Sequence, residues 1–145
     1  MRVIQCLSYA LGKIREEVRT RLAPEKILII EDDHDTRQTF QIALETEGYS
    51  VLTATNGLEA LAVLAATSLL PGLILCDWNM PKMGGADFLR TKAMKPEIRG
   101  IPVIICCAAL QPTSALDLGA VGLLAKPFSL AHFLATIKKF YSRAD

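Results

Sequence analysis

Leu73-Ile74-Leu75-Cys76-Asp77-Trp78-Asn79-Met80-Pro81 decides the reading of this chain: a short apolar run breaks at Asp77 into a polar loop that ends in proline. Three further apolar runs end in the same manner. Ile27 to Ile30 runs into Glu31-Asp32-Asp33, Pro102 to Ile105 into Cys106-Cys107, and Val121 to Ala125 into Lys126-Pro127. Near-continuous apolar runs of this length suit strands covered on both faces, as in a parallel α/β sandwich. In an open parallel sheet the carboxyl ends of the strands share one edge, and such folds bind and react there. Three acids, a thiol and a lysine are thereby delivered to one place.

Between these runs the pattern changes period. Asp35 can cap a helix running to about Glu47, with Phe40, Ala43 and Leu44 facing inward and Gly48 as its stop. Tyr49 to Ala54 reads as a second, shorter strand. Asn56-Gly57 turns into a helix carrying Leu58, Leu61 and Leu64, and Gly84-Gly85 leads into one carrying Phe88 and Leu89. Gln111 to Leu118 predicts a short, weak helix. Ser129 can cap a last one with Leu130, Phe133, Leu134, Ile137 and Phe140 inward. Ahead of this alternation, Ile4, Leu7, Leu11, Ile14 and Val18 recur three and four apart, a helical stripe that Ala23-Pro24 should end. The expected organisation is an amphipathic helical extension over residues 1–24 and one α/β domain over residues 25–145.

A chain of 145 residues lies within the usual size of one domain, and 51% hydrophobic residues argue against wholesale disorder. The net charge of +1 leaves no nucleic-acid footprint. Residues 1–26 hold six Lys/Arg against three Glu, so the basic excess sits in the extension. Glu16 and Glu17 partly balance Arg15, Arg19 and Arg21, which weakens a membrane role and favours protein–protein packing, intramolecular or between two copies. No apolar stretch is long enough to span a bilayer. Met1-Arg2 followed by Val3 to Leu11 fits a signal peptide poorly, since Gln5 interrupts it and no small-x-small site follows. Four cysteines without metal-type spacing suit a reducing cytoplasm. Cys76 and Cys106 read as core filler, His34 and His132 as exposed lone histidines, and Trp78 as a partial cover over the site.

Glu31, Asp32 and Asp77 on one edge raise an electrostatic problem. Two carboxylates about 5 Å apart repel by roughly 3 kcal/mol at an effective dielectric near 20. Lys126 supplies one compensating charge and a divalent cation supplies two, which brings the formal sum to zero. Carboxylates with room for water suit Mg²⁺. An ionised Asp is a competent nucleophile toward phosphorus, so the set favours phosphoryl transfer through an aspartyl phosphate.

Five landmarks in order then carry a resemblance: Ile27-Leu28-Ile29-Ile30-Glu31-Asp32-Asp33; Thr55-Asn56-Gly57-Leu58-Glu59-Ala60-Leu61; Leu73 to Pro81 with Met83-Gly84-Gly85; Ile101-Pro102-Val103-Ile104; and Leu124-Ala125-Lys126-Pro127-Phe128. Over about residues 26–141 the chain resembles the CheY-like receiver domain of bacterial two-component response regulators. The resemblance implies a flavodoxin-like (βα)5 fold, a doubly wound parallel five-stranded sheet of order 2-1-3-4-5, here with an extra N-terminal helix. It implies Asp77 as phosphoacceptor and Mg²⁺ held by Asp32, by Glu31 through water, by Asp77 and by the Asn79 carbonyl. Lys126 would pair with Asp77 and then with the phosphoryl group, and the Lys126–Pro127 bond would be cis. A histidine kinase or phosphotransfer protein would be the donor.

Two positions depart from the family pattern. Cys107 stands where a Ser or Thr usually binds a phosphoryl oxygen, and Leu123 where a Tyr or Phe usually rotates. Only eighteen residues separate Cys107 from Lys126, which shortens the helix between them. Both halves of the usual switch are altered, while the acceptor set of Asp77, Lys126 and the acids is intact. The first expectation is a phosphorylation-controlled signalling receiver. The alternative is a degenerate receiver that acts as a phosphorylation-insensitive interaction or dimerisation module. A turnover phosphatase using Asp77 is disfavoured, because Asn79 stands where such hydrolases carry an acid.

Overall fold

The computed structural model describes residues 2–22, 25–108 and 114–142. Helix α1 (Arg2–Leu22) leads into β1 (Lys26–Ile30), followed by α2 (His34–Thr46), β2 (Ser50–Ala54), α3 (Gly57–Ala66) and β3 (Leu73–Asp77). Then come α4 (Gly85–Ala93), β4 (Val103–Ala108), α5 (Ser114–Asp117), β5 (Gly122–Lys126) and α6 (Leu130–Ser142). The five strands form one parallel sheet of order β2-β1-β3-β4-β5, as the resemblance implies.

Successive strand side chains point to opposite faces, so each buried strand feeds two cores. Leu28, Ile30, Ile74, Cys76, Val103, Ile105 and Cys107 pack on one side with Ala60 and Leu64 of α3 and Phe88 and Leu89 of α4. Ile27, Ile29, Leu73, Leu75, Ile104 and Cys106 pack on the other with Leu44 of α2 and Phe133 and Ile137 of α6. Phe40 stacks on Phe133 at 4.7 Å between ring centres, tying α2 to α6 across that second face. At the amino end of the sheet the Tyr141 hydroxyl donates to the Lys26 carbonyl and anchors the last helix to the first strand.

The helix starts follow capping chemistry, with one correction. Asp33, not Asp35, caps α2: its carboxylate accepts from the Thr36 amide at 2.8 Å and from the Thr36 hydroxyl at 2.6 Å. Asp35 already lies inside the first turn, where it has no unsatisfied amide three residues on to serve. Asn56 caps α3 through the Glu59 amide at 2.9 Å, and Ser129 accepts from the His132 amide at 3.1 Å. Gly48 takes φ +95° just beyond α2, the left-handed stop that glycine allows.

One residue expected inward, Leu130, faces solvent instead, and so does Leu58 of α3. Leu58 lies about 160° round α3 from Ala60, at 100° per residue, and is 51% exposed. Leu130 is on the inward side of α6 but at its first position, past the packed part of the sheet, and is 54% exposed. Of the short helix expected over Gln111–Leu118, Ser114–Asp117 is helical, and its first three residues lie outside the described part. The apolar stripe of α1 is not buried: Ile4, Leu7, Leu11, Ile14 and Val18 are 47% to 70% exposed. Intramolecular packing of that stripe on the α/β domain is therefore not what the structure contains. No described helix is long and apolar enough to cross a membrane.

Candidate functional site

The register of the sheet builds the site. Ile30 of β1 pairs with Cys76 of β3, so Glu31 and Asp77, the next residues along each strand, come out side by side. Asp77 pairs with Cys106, and Ala108 pairs with Lys126, which carries the β5 lysine to the same edge. Oxygens of Glu31, Asp32 and Asp77 all lie within 4.8 Å of one another. The Lys126 ammonium sits 3.2 Å from Asp77 Oδ1 and 3.6 Å from Glu31 Oε2. Side chains from three separated stretches of sequence thus form one cluster.

Each member is held by its surroundings. Asp77 Oδ1 also accepts from the Trp78 amide at 2.9 Å. Glu31 is almost wholly buried; its amide extends the ladder to the Ala54 carbonyl at 3.0 Å and its Oε1 accepts from the Asp33 amide at 3.2 Å. The Lys126–Pro127 bond is cis, as the resemblance implies. Gly85 lets α4 start close to the acids, since a Cβ there would come within 2.9 Å of the Asp77 carbonyl. Asp32, Trp78, Asn79, Met80, Pro81, Gly84, Ala86 and Asp87 line an open cleft of about 520 Å³ beside the carboxylates. Trp78 is half-buried on its wall, in keeping with a partial cover.

The electrostatics record unbalanced negative charge. Burial, then repulsion from Asp77, pushes the Glu31 carboxyl up to about 7, despite the opposing pull of Lys126. Burial draws the Lys126 ammonium down, but Asp77 and Glu31 outweigh it and leave the group above its ordinary value. The donor set is therefore all oxygen, acidic, open to water on one side and short of positive charge. That is the chemistry a hard divalent cation with retained waters fits. Asp32, exposed at the cleft, and the acids beside it are the residues able to hold one.

Cys107 is buried one residue beyond the Asp77–Cys106 pair. Its thiol is raised by burial and by the Asp77 carboxylate, with Lys126 pulling the other way, so it is protonated and a weak donor. Burial pushes Cys106 up to about 12, and Cys76 is raised by burial as well, in accord with core filler. Leu123 is half-buried on β5 and packs against the core on the Cys107 side of the sheet. His34 and His132 are both exposed. One residue escaped the sequence reading: Arg37, whose guanidinium donates to the Glu31 carbonyl at 2.8 Å. Its position five residues after Asp32, in the first turn of α2, was the available signal.

Comparison with known proteins adds an independent line. A family profile described as the response regulator receiver domain matches residues 27–138. The polar-differentiation response regulator DivK of Brucella anthropi is 31% identical over 124 residues, covering 83% of this chain and 99% of that protein. The chemotaxis protein CheY4 of Vibrio cholerae superposes with a TM-score of 0.74 at 30% identity, over 81% of this chain and 99% of that one. The receiver domain of the sensor histidine kinase PA1611 from Pseudomonas aeruginosa, solved with a magnesium ion coordinated in its active-site cleft, superposes with a TM-score of 0.72 at 26% identity, over 81% and 98%. The chain spans about half the length, 49% to 53%, of several curated transcriptional regulators that it also matches.

Proposed function

The chain belongs to the response regulator receiver domain family, and from that premise we propose that residues 25–145 act as a Mg²⁺-dependent phosphoacceptor with Asp77 as the nucleophile. The observation that carries this is the cluster itself: three acids within 4.8 Å of one another, with the Lys126 ammonium 3.2 Å from Asp77. In the reaction an Asp77 oxygen attacks the phosphorus of a phosphohistidine. The new O–P bond forms as the P–N bond breaks, and the imidazole leaves with the bond's electron pair and takes up a proton. Lys126 is placed to meet the negative charge on the transferring oxygens. Asp32, Asp77 and the Asn79 carbonyl would hold the cation, with Glu31 acting through water; bound Mg²⁺ supplies further neutralising charge to those oxygens.

A histidine kinase or phosphotransfer protein is the proposed donor, in the cytoplasm. Receiver domains are signalling modules. This one is proposed to turn over no external substrate, since Asn79 offers no acid or base two residues beyond the nucleophile. Incubation with acetyl phosphate and Mg²⁺ should add one phosphoryl group by intact-mass spectrometry. Asp77→Asn should add none, and uptake by that variant equal to wild type would remove the reading.

A second reading concerns the output. Cys107, Leu123 and the short stretch of eighteen residues between Cys107 and Lys126 favour a receiver that takes up phosphate with little change of shape and binds partners regardless. For residues 1–24 the proposed partner is a second copy. The 3-4-3-4 spacing of Ile4, Leu7, Leu11, Ile14 and Val18 is the seam of a coiled coil, which an identical helix matches by symmetry. Charges of both signs on the remaining faces favour that over an anionic membrane.

A further inference from the structure

Asp32 is exposed: Glu31 before it is buried, but no core packing holds the Asp32 side chain itself. A metal ligand whose direction is not fixed binds weakly, because its geometry must be organised at the moment of binding. Arg37 addresses this from the first turn of α2. Its Nη1 donates to the Glu31 carbonyl at 2.8 Å and lies 3.4 Å from the Asp32 carbonyl. Those two carbonyls belong to the peptide units on either side of the Asp32 α-carbon. Holding both restricts φ and ψ of Asp32 and so sets the direction in which its side chain leaves the backbone. The guanidinium is itself steadied, with Nη2 3.3 Å from His34 Nδ1, and its backbone is tied to the loop by the Arg37 amide donating to the Asp33 carbonyl at 3.0 Å. A single guanidinium nitrogen, Nη1, thus serves both carbonyls, while Nη2 is left to His34.

We propose that Arg37 is a positioning residue for the cation site, acting as a backbone clamp on Glu31 and Asp32. The inference rests on the metal reading of the acid cluster given above. Its sign separates it from a simple charge effect. A cation beside the site repels Mg²⁺, so if charge were its whole role, removing it would tighten metal binding. If the clamp is the role, removing it loosens binding. Outer contacts of this kind commonly change metal affinity by about 10- to 100-fold.

The test is a Mg²⁺ titration of the full chain followed by Trp78 fluorescence, with no phosphodonor present. Arg37→Met removes donors and charge while keeping length, and should weaken Mg²⁺ binding by about tenfold or more. Arg37→Lys keeps the charge and one donor, and should fall between wild type and Met. Equal or tighter binding by Arg37→Met overturns the clamp. Should that variant fail to fold, Arg37→Lys carries the test alone: its charge is unchanged, so unaltered affinity overturns the proposal and weakened affinity supports it. A wild-type protein with no saturable Mg²⁺ response overturns the metal reading itself and the clamp with it, and is distinguished by the absence of any baseline to compare.

Discussion

The acid edge and the corner formed by β4, α5 and β5 are neighbours, yet they stand in different condition. At the acid edge Glu31, Asp32, Asp77 and Lys126 come together, and the sheet register brings Glu31, Asp77 and Lys126 side by side. Nearby, Cys107 offers a weak thiol donor and Leu123 an aliphatic chain, where the resemblance implies a hydroxyl and a ring. Only eighteen residues separate Cys107 from Lys126. The difference separates two demands. Chemistry at strand ends needs a few side chains held still, whereas signalling needs side chains with two alternative places to be. A receiver can retain the first and lose the second.

The largest test of that contrast removes the lysine. Lys126→Met should leave the fold intact and lower the rate of acetyl phosphate uptake by roughly 100-fold or more, the usual cost of losing a donor to developing charge. A near-normal rate, measured by intact mass against time, would mean the edge does not work as drawn. The expected effect of pH is next in size. Glu31 is raised to about 7 from an ordinary value of 4.5. The metal prefers it ionised, so Mg²⁺ affinity should fall by about tenfold between pH 8 and pH 6, with proton release on binding near pH 6 by calorimetry. The same shift has a definite sign for stability. Glu31 stabilises the metal-free fold below pH 4.5, and that contribution is lost as pH rises through 7.

Smaller changes probe the other side of the comparison. Cys107→Thr restores a strong donor beside Asp77, so beryllofluoride should shift amide resonances of β5 and α5 further in the variant than in wild type. Equal shifts would place the block at Leu123 or the shortened helix instead. Leu11→Glu puts a charge into the seam proposed for α1 and should abolish the self-association expected there, by sedimentation, while changing Mg²⁺ affinity by less than twofold. Loss of Mg²⁺ binding in that variant would tie α1 to the acid edge, against the separation drawn here.

Much of this could be read along the chain because parallel α/β folds announce themselves locally. Apolar runs such as Leu73 to Cys76 must be strands buried on both faces, and the polar residue that ends each run must lie on the binding edge. The set of Glu31, Asp32, Asp77 and Lys126 was legible for that reason. Its weak points were local as well. Asp35 and Asp33 are both good capping residues, and only the path of the backbone chooses between them. Leu58 fits a leucine stripe of the right residue type but the wrong angle, because Ala60 had already taken the inward face.

Strand identity, the order of motifs, the chemistry of the acid set and the 3-4-3-4 seam of α1 were properties of the chain, since each depends on neighbours a few residues apart. Three things depended on the folded molecule. The approach of the acids to within 4.8 Å follows from inter-strand register, which no single stretch encodes. The high value of Glu31 follows from burial and from Asp77, forty-six residues away. The grip of Arg37 on the Glu31 and Asp32 carbonyls, six and five residues back, needs the backbone path that turns β1 into α2. In the first two cases the energy lies in a contact or a loss of water that exists only once distant segments meet; in the third it lies in the folded turn from β1 into α2.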